Sequence, residues 1–350
     1  MWLLAAALVV AGLAALVWLI PAAPLTGDGQ HYIEFVRNNF QHGASSWHER
    51  RLLGPAIVRA LPLDAQAGFL VLTLVSLATT ALLLWRAVRH LVPSEPHALA
   101  AIPLLLATWV VAPNVREYGL VDPVAWAFVA GIWLATVRQQ WLLAAVLGAV
   151  GVVAKEVVVL AALAAAAAAW SPRRPIPALG VAGPALGVVV LLTLLFPGSG
   201  SDAGAYVGKW IRDGLGSLGP ARVVFLLFAS YGSLWLLLPR GLVPLPPHLR
   251  RAALVYLVAA VGLPLVGSPE RMEEAIFPLL VTCAVLAART ASPIVLWALA
   301  LGNLVFVARV GGDASIPSAV AWTGLALACG LAVWIVARPR AVLRLARGTT

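Results

Sequence analysis

Apolar positions in this chain come in long blocks rather than at a fixed period. From Trp2 to Ile20 nearly every residue is apolar, and comparable runs return at approximately 65 to 85, 97 to 112, 120 to 137, 141 to 154, 157 to 170, 176 to 196, 223 to 238, 252 to 266, 275 to 288, 291 to 308 and 317 to 336. A run approaching twenty apolar residues crosses the hydrocarbon of a bilayer as a helix, because only a helix pairs every backbone polar group within its own segment. The short alternating segments of a membrane barrel do not occur. The pattern therefore predicts an all-α integral membrane protein with about twelve (10 to 14) transmembrane helices. The opening run lacks the basic leader of a cleavable signal and reads as a retained first span. The pieces at 141 to 154 and 157 to 170 are short for a crossing, which predicts half-helices meeting at Lys155-Glu156 rather than two ordinary spans.

Composition removes the soluble alternatives. The 350 residues are 62% hydrophobic and 11% charged, with a mean hydropathy of +0.95, whereas a soluble domain is nearer half apolar and a quarter charged. Charge then sets orientation. With both termini inside, the cytoplasmic loops and the basic tail at 337–350 hold thirteen of the 24 Lys and Arg residues and one acid, Glu95; the remaining thirteen acids lie outside. The net charge of +10 is thus gathered on one face, which argues against nucleic acid as the partner. Cys283 and Cys329 fall inside apolar runs, so no disulfide framework or cysteine metal site is supported. No P-loop, dinucleotide fingerprint or HExxH occurs, which removes ATP-driven, nicotinamide and zinc-protease chemistry. The chain reads as a single polytopic domain over 1–350, with a first outer loop at 21–51 and a second, amphipathic one at 197–222. Its Ala, Leu, Val and Arg usage points to a GC-rich bacterium, a plasma (inner) membrane and an active face turned away from the cytoplasm.

The outer face carries the candidate chemistry. The first outer loop reads Gly27-Asp28-Gly29-Gln30-His31-Tyr32, after which Tyr32, Ile33, Val36 and Phe40 share one helical face and Glu34, Arg37, Asn38 and Gln41 the other, the pattern of a helix lying on the bilayer. Asp28 suits two roles, an N-cap for that helix or a general base or metal ligand at the membrane surface. His48-Glu49-Arg50-Arg51-Leu52-Leu53-Gly54-Pro55 places two guanidiniums where the chain returns to the membrane, suited to gripping phosphate or to snorkelling. Arg116, Glu117 and Tyr118 precede Asp122-Pro123, an ordinary helix start that also sets a carboxylate at the mouth of the bundle, with the three residues before it available to sugar hydroxyls. Lys155-Glu156 stands among apolar residues on both sides, a costly arrangement that usually lines a cavity. The loop from 197 to 220 holds Tyr206, Val207, Trp210, Ile211 and Leu215 at helical spacing, with Lys209, Arg212 and Asp213 on the polar side. Last comes Glu270-Arg271-Met272-Glu273-Glu274, a polar turn or a cation set among acids to meet phosphate.

A carboxylate base with several cations at headgroup depth is the equipment for moving a group from a lipid phosphate to a hydroxyl. The arrangement resembles the GT-C superfamily of polytopic glycosyltransferases that use polyprenyl-phosphate sugars. The features that carry the resemblance are Asp28 in the first outer loop, Arg51-Leu52-Leu53-Gly54-Pro55, the Lys155-Glu156 pair between short helices, and Glu270-Arg271 before a span containing Pro278. The resemblance implies that Asp28 serves as base or metal site and that Arg271 or Lys155 holds the lipid phosphate. It implies a polyprenyl-phosphate-linked sugar as donor, a glycan, lipid or protein as acceptor, and a divalent cation, Mg or Mn, as the one cofactor to consider. Many members carry a paired acid in the first loop where this chain has Gly-Asp-Gly, and many append a soluble domain; both departures bear on metal use and acceptor type. The rival classes are a transporter or flippase of a lipid-linked or anionic substrate, and a non-catalytic membrane subunit. A transporter would place ionisable residues near the midplane and often repeat its halves, whereas the acids here sit at the outer rim and no repeat is evident.

Overall fold

The computed structural model describes residues 1–23, 27–40, 50–171, 176–196, 208–209, 211–212, 216–262 and 273–338. Among the described residues the chain is all α, with no strand. Helix α1 (Trp2–Leu19) leads to two short helices, α2 (Asp28–Arg37) and α3 (Leu53–Ala60), and then to α4 (Ala65–Leu91). The next apolar run is traced in three pieces, α5 (Glu95–Leu99), α6 (Ala101–Leu106) and α7 (Ala112–Arg116). It is followed by α8 (Asp122–Val137), α9 (Trp141–Ala154), α10 (Val158–Ala169) and α11 (Ile176–Leu195). Beyond these lie α12 (Pro220–Ala229), α13 (Leu234–Leu242), α14 (Pro247–Gly262), a 3-10 turn (Glu273–Ile276) running into α15 (Phe277–Ala288), then α16 (Pro293–Val310) and α17 (Ser318–Ala337).

The apolar runs of the sequence are mainly helical over their described residues, with breaks at 107–111 and 230–233, and five helices, α1, α4, α11, α16 and α17, are long and apolar enough to cross a membrane. A sixth arises if α12 and α13, bent by 70° at the break between them, count as one span. The protein is therefore a multi-pass helical membrane protein. The other apolar helices, among them α8, α9, α10 and the 3-10 turn with α15, run to 17 residues or fewer, short of the ~20 that a full crossing takes. The outside of the bundle is greasy where a soluble protein would be polar: Leu142, Ile176, Val261 and Ile294 are all exposed.

Two short helices, α9 and α10, meet at Lys155-Glu156. A methyl on Gly148 would lie 3.1 Å from the Ala162 Cβ, and one on Gly151 would lie 2.7 Å from a Val158 methyl, so α9 and α10 fold back as a tight antiparallel hairpin. Small residues allow this: Ala161, Ala162, Ala164, Ala165 and Ala168 are buried and let the neighbouring backbones approach. Lys155, in extended conformation, ends α9 and becomes the tip of the hairpin.

Hydrogen bonds at the helix ends sort the molecule into two poles. One gathers the C-terminal ends of α4 and α8, joined by Arg138 Nε to His90 Nε2 at 2.7 Å, together with Arg251, which binds the last carbonyls of α10, and Arg240, which binds those of α17. The opposite pole gathers α2, α3, the starts of α4 and α8 and the α9–α10 tip. A main core runs through the bundle, with Trp85, Trp126 and Trp133 fully buried and Trp133 Nε1 donating to Thr282 Oγ1 at 3.1 Å. A separate small core at the second pole joins Tyr32, Ile33 and Val36 of α2 to Val58, Phe69, Leu72, Val121, Val124 and Ala154. The apolar face of α2 thus packs on protein.

Candidate functional site

The small core sets the geometry of the second pole, since every element that contributes to it also delivers a polar residue to its rim. Helix α2 begins at Asp28 itself, with Gly27 as the N-cap residue at φ 61°. Asp28 is therefore the first helical residue rather than the cap, where the helix dipole still favours its negative charge. The start of α2 is pressed against the loop before α8: a methyl on Gly119 would meet the Gly29 backbone at 2.9 Å, so only glycine allows the two chains this approach.

At the α9–α10 tip two ion pairs stand side by side, one on each of the neighbouring residues Lys155 and Glu156. The Arg51 guanidinium grips the Glu156 carboxylate through Nε at 3.0 Å and Nη2 at 2.5 Å, and its Nη1 donates to the Tyr32 hydroxyl at 3.1 Å. Burial opposes ionisation of Glu156, but the Arg51 charge and hydrogen bonds outweigh it and hold the carboxyl below its ordinary pKa. The same pairing overcomes burial at Arg51 and raises its pKa, so the guanidinium keeps its charge. For Tyr32 burial prevails over the Arg51 charge and raises the phenol's pKa, leaving a neutral hydroxyl. Asp28 and Asp122 both act electrostatically on that hydroxyl, which brings the first-loop acid into the same cluster.

Beneath this pair lies a more deeply buried one. Lys155 Nζ donates to Asp122 Oδ1, with side chains 8% and 3% exposed, and the ammonium sits 5.7 Å from the Trp126 ring centroid. Asp122 is the first residue of α8, with Pro123 in the next position, so the helix start aims the carboxylate at the hairpin tip. An ammonium at that depth is tolerable because a carboxylate answers it and an aromatic face screens it.

The remaining candidates disperse. Arg50 turns from Arg51 and donates through Nη2 to the Phe196 carbonyl at 3.2 Å, tying the loop to the end of α11. Arg116, Glu117 and Tyr118 do not form one set. Arg116 Nη2 pairs with Asp313 Oδ2 at 3.2 Å, Glu117 caps α7, and the Tyr118 hydroxyl accepts from Gln66 Nε2 at 2.5 Å. Glu270 and Arg271 lie outside the described residues, as do most of the second amphipathic loop and the basic tail. Two residues that sequence reasoning gave no part in the site belong to it. Tyr32 was read only as an apolar position of α2, and Trp126 shows no signal in an apolar run beyond being aromatic one turn after Asp122.

The cluster of Asp28, Tyr32, Arg51, Asp122, Lys155 and Glu156 offers three acids, two cations and a phenol at one pole of an apolar bundle. Among the described residues no group of three His, Cys, Asp or Glu side chains is placed to hold a metal ion, and Asp122 and Glu156 are each paired with a cation. The chemistry legible here is proton transfer to a carboxylate and charge stabilisation by guanidinium and ammonium. Comparison with known families, curated sequences and solved structures gives no match for this chain.

Proposed function

We propose that this protein is a membrane glycosyltransferase that moves a sugar from a polyprenyl-phosphate carrier to an acceptor hydroxyl on the extracytoplasmic side. The observation that supports this reading is the convergence of Asp28, Arg51, Asp122, Lys155 and Glu156, drawn from four separate stretches of chain, at one pole of a lipid-embedded helical bundle. In this reaction Asp28 accepts the proton of the acceptor hydroxyl as its oxygen attacks the anomeric carbon, and the polyprenyl phosphate departs with the bonding electrons. Negative charge grows on the departing phosphate, and cations already in place stabilise it without reorganisation. Arg51 engages Glu156 and Tyr32 with three of its five N–H groups, which leaves a face of the guanidinium for phosphate oxygens. Glu156 and Asp122 keep the two cations oriented before substrate arrives. A single displacement of this kind inverts the anomeric configuration.

The test is transfer of label from a panel of polyprenyl-phosphate sugars by membranes carrying wild type or Asp28→Asn at matched protein levels. Wild type is expected to transfer with inversion, and Asp28→Asn to lose about a hundredfold or more, the scale of a positioned general base. Equal transfer by the two proteins refutes Asp28 as base; no transfer from any carrier refutes the reading.

One observation favours a second reading, transport of the lipid-linked substrate. The α12–α13 break, with Ser230 to Ser233 unwound in the bundle and Asn303 Oδ1 accepting from Ser233 N and Oγ at 3.3 and 3.1 Å, is a discontinuous helix of the kind that forms transporter sites. Against it, protein groups take up carbonyls at the break: Trp109 N donates to the Ser230 carbonyl at 2.9 Å and Trp235 Nε1 to the Leu227 carbonyl at 2.9 Å. Movement of a labelled lipid across proteoliposomes without sugar transfer would decide for transport.

A further inference from the structure

Arg116 leads from the loop of Gly119 and Asp122 to a second polar cluster, under the connection between α16 and α17. That connection is pinned. A methyl on Gly312 would meet the Ile20 side chain and the Ala308 carbonyl at 2.8 Å, and Ala314 N donates back to the Ala308 carbonyl at 3.0 Å. Below it is a cavity of about 270 Å³ lined by Arg309, Val310, Asp313, Ser318, Ala321 and Trp322. We propose that this cavity is a binding site for a single pyranose ring.

The argument rests on what the walls offer. Asp313 is braced between two guanidiniums, with Oδ2 accepting from Arg116 Nη2 at 3.2 Å and Oδ1 from Arg309 Nη1 at 3.3 Å, yet its side chain remains 58% exposed. A carboxylate has about four acceptor positions, so the two bracing bonds leave capacity for hydroxyl donors. Arg309 and the Ser318 hydroxyl add donors to the lining. Trp322, one turn into α17, is held by Phe306 at 5.2 Å and Phe225 at 6.0 Å between ring centroids and keeps half its surface exposed. A half-exposed indole in a lining that also carries donors and acceptors suits a ring with one C–H face and several hydroxyls. The volume admits one ring rather than an oligosaccharide. Under the proposed function this cavity holds a sugar unit of the acceptor; that role rests on that reading, while binding does not.

Binding is read on the indole itself. The protein is labelled with 5-fluorotryptophan and purified in a sugar-free detergent, and the Trp322 fluorine resonance, one of 14, is assigned by its disappearance in Trp322→Phe. Methyl glucoside, methyl mannoside and methyl galactoside are then titrated, and in a second arm the same sugars are presented on glycolipids in bicelles. At least one sugar, free or lipid-borne, is expected to shift the Trp322 resonance saturably, the two arms telling a soluble glycan from a membrane glycolipid. Asp313→Asn is expected to weaken that binding about tenfold or more, the cost of losing hydrogen bonds to a charged group. Asp28→Asn is expected to leave it unchanged, so loss of transfer and loss of this site are separable. Should Asp313→Asn collapse the dispersion of the other resonances, Arg309→Gln serves in its place. No saturable shift from any sugar in either arm, or a shift that both substitutions leave intact, overturns the proposal.

Discussion

Lys155 is accommodated at 6% exposure because Asp122 is there to pair with it, and neither residue can be removed singly without stranding the other. Lys155→Met or Asp122→Leu alone is expected to cost about 3–5 kcal/mol, whereas the double substitution recovers most of the loss, since an apolar pair of similar volume replaces a balanced ionic one. Thermal unfolding in detergent of the four proteins in this cycle measures it, and strictly additive losses would show that the pair does not act as one. The Arg51–Glu156 bridge is half exposed on its acidic side, so it is worth about 1 kcal/mol or less. Its pH dependence has a definite sign. The folded carboxyl titrates below its ordinary 4.5, so the contribution is fully present above that pH and is lost as pH falls through the depressed folded value. Comparing melting at pH 7 and pH 4 for wild type and Glu156→Gln should show wild type losing its advantage on acidification, while an advantage that grows on acidification contradicts the assignment. Asp122, Lys155 and Glu156 were legible in the sequence because an ionisable residue among apolar neighbours stands out by its cost alone. Their partners were not: Arg51 and Glu156 are 105 residues apart, and no periodicity links Arg116 to Asp313.

At the scale of elements, the helices were legible and their lengths and breaks only in part. Hydrophobicity marks where a chain avoids water, but whether a run makes one straight helix depends on close contacts between distant backbones. Glycines record those contacts. A methyl on Gly241 of α13 would lie 2.1 Å from the Cys283 carbonyl of α15, and one on Gly302 of α16 would lie 2.4 Å from the Gly324 carbonyl of α17. Both neighbours are backbone and cannot turn aside, so Gly241→Ala and Gly302→Ala are each expected to cost about 1–3 kcal/mol or more through forced separation of the helices. Gly180→Ala in α11 meets nothing within 4 Å and is expected to leave stability unchanged or slightly improved. Melting temperatures of the three proteins distinguish the cases, and equal melting would mean the α13–α15 and α16–α17 contacts are looser than described. Gly119→Ala is of a different kind, because it pushes α2 from the loop before α8 and so displaces Asp28 while leaving the main core intact. It should reduce transfer more than it reduces melting temperature.

The whole molecule has a chemical polarity that no single helix shows. One pole carries arginines bonded to helix C-terminal carbonyls, the placement that favours cations at the negative ends of helix dipoles, and the other carries the clustered acids with their paired cations. Positive charge is retained on the cytoplasmic side of membrane proteins, so the arginine pole is expected inside and the Asp28 pole outside. The two native cysteines make this measurable with little disturbance, since Cys283 is buried and Cys329 is partly covered within α17, and both can be replaced by alanine. Leu63→Cys then places a thiol on an exposed residue just before α4 at the acid pole, and Thr290→Cys places one on an exposed turn between α15 and α16 at the arginine pole. A membrane-impermeant maleimide applied to intact cells should label Leu63→Cys at once and Thr290→Cys only after the membrane is opened. The reverse pattern would put the candidate site in the cytoplasm, where a nucleotide-linked donor becomes as accessible as a lipid-linked one, and the case for a polyprenyl-phosphate carrier would fall with it. Labelling of both in intact cells would mean that the two poles lie on one side of the membrane, and that the shorter helices turn back within it rather than cross.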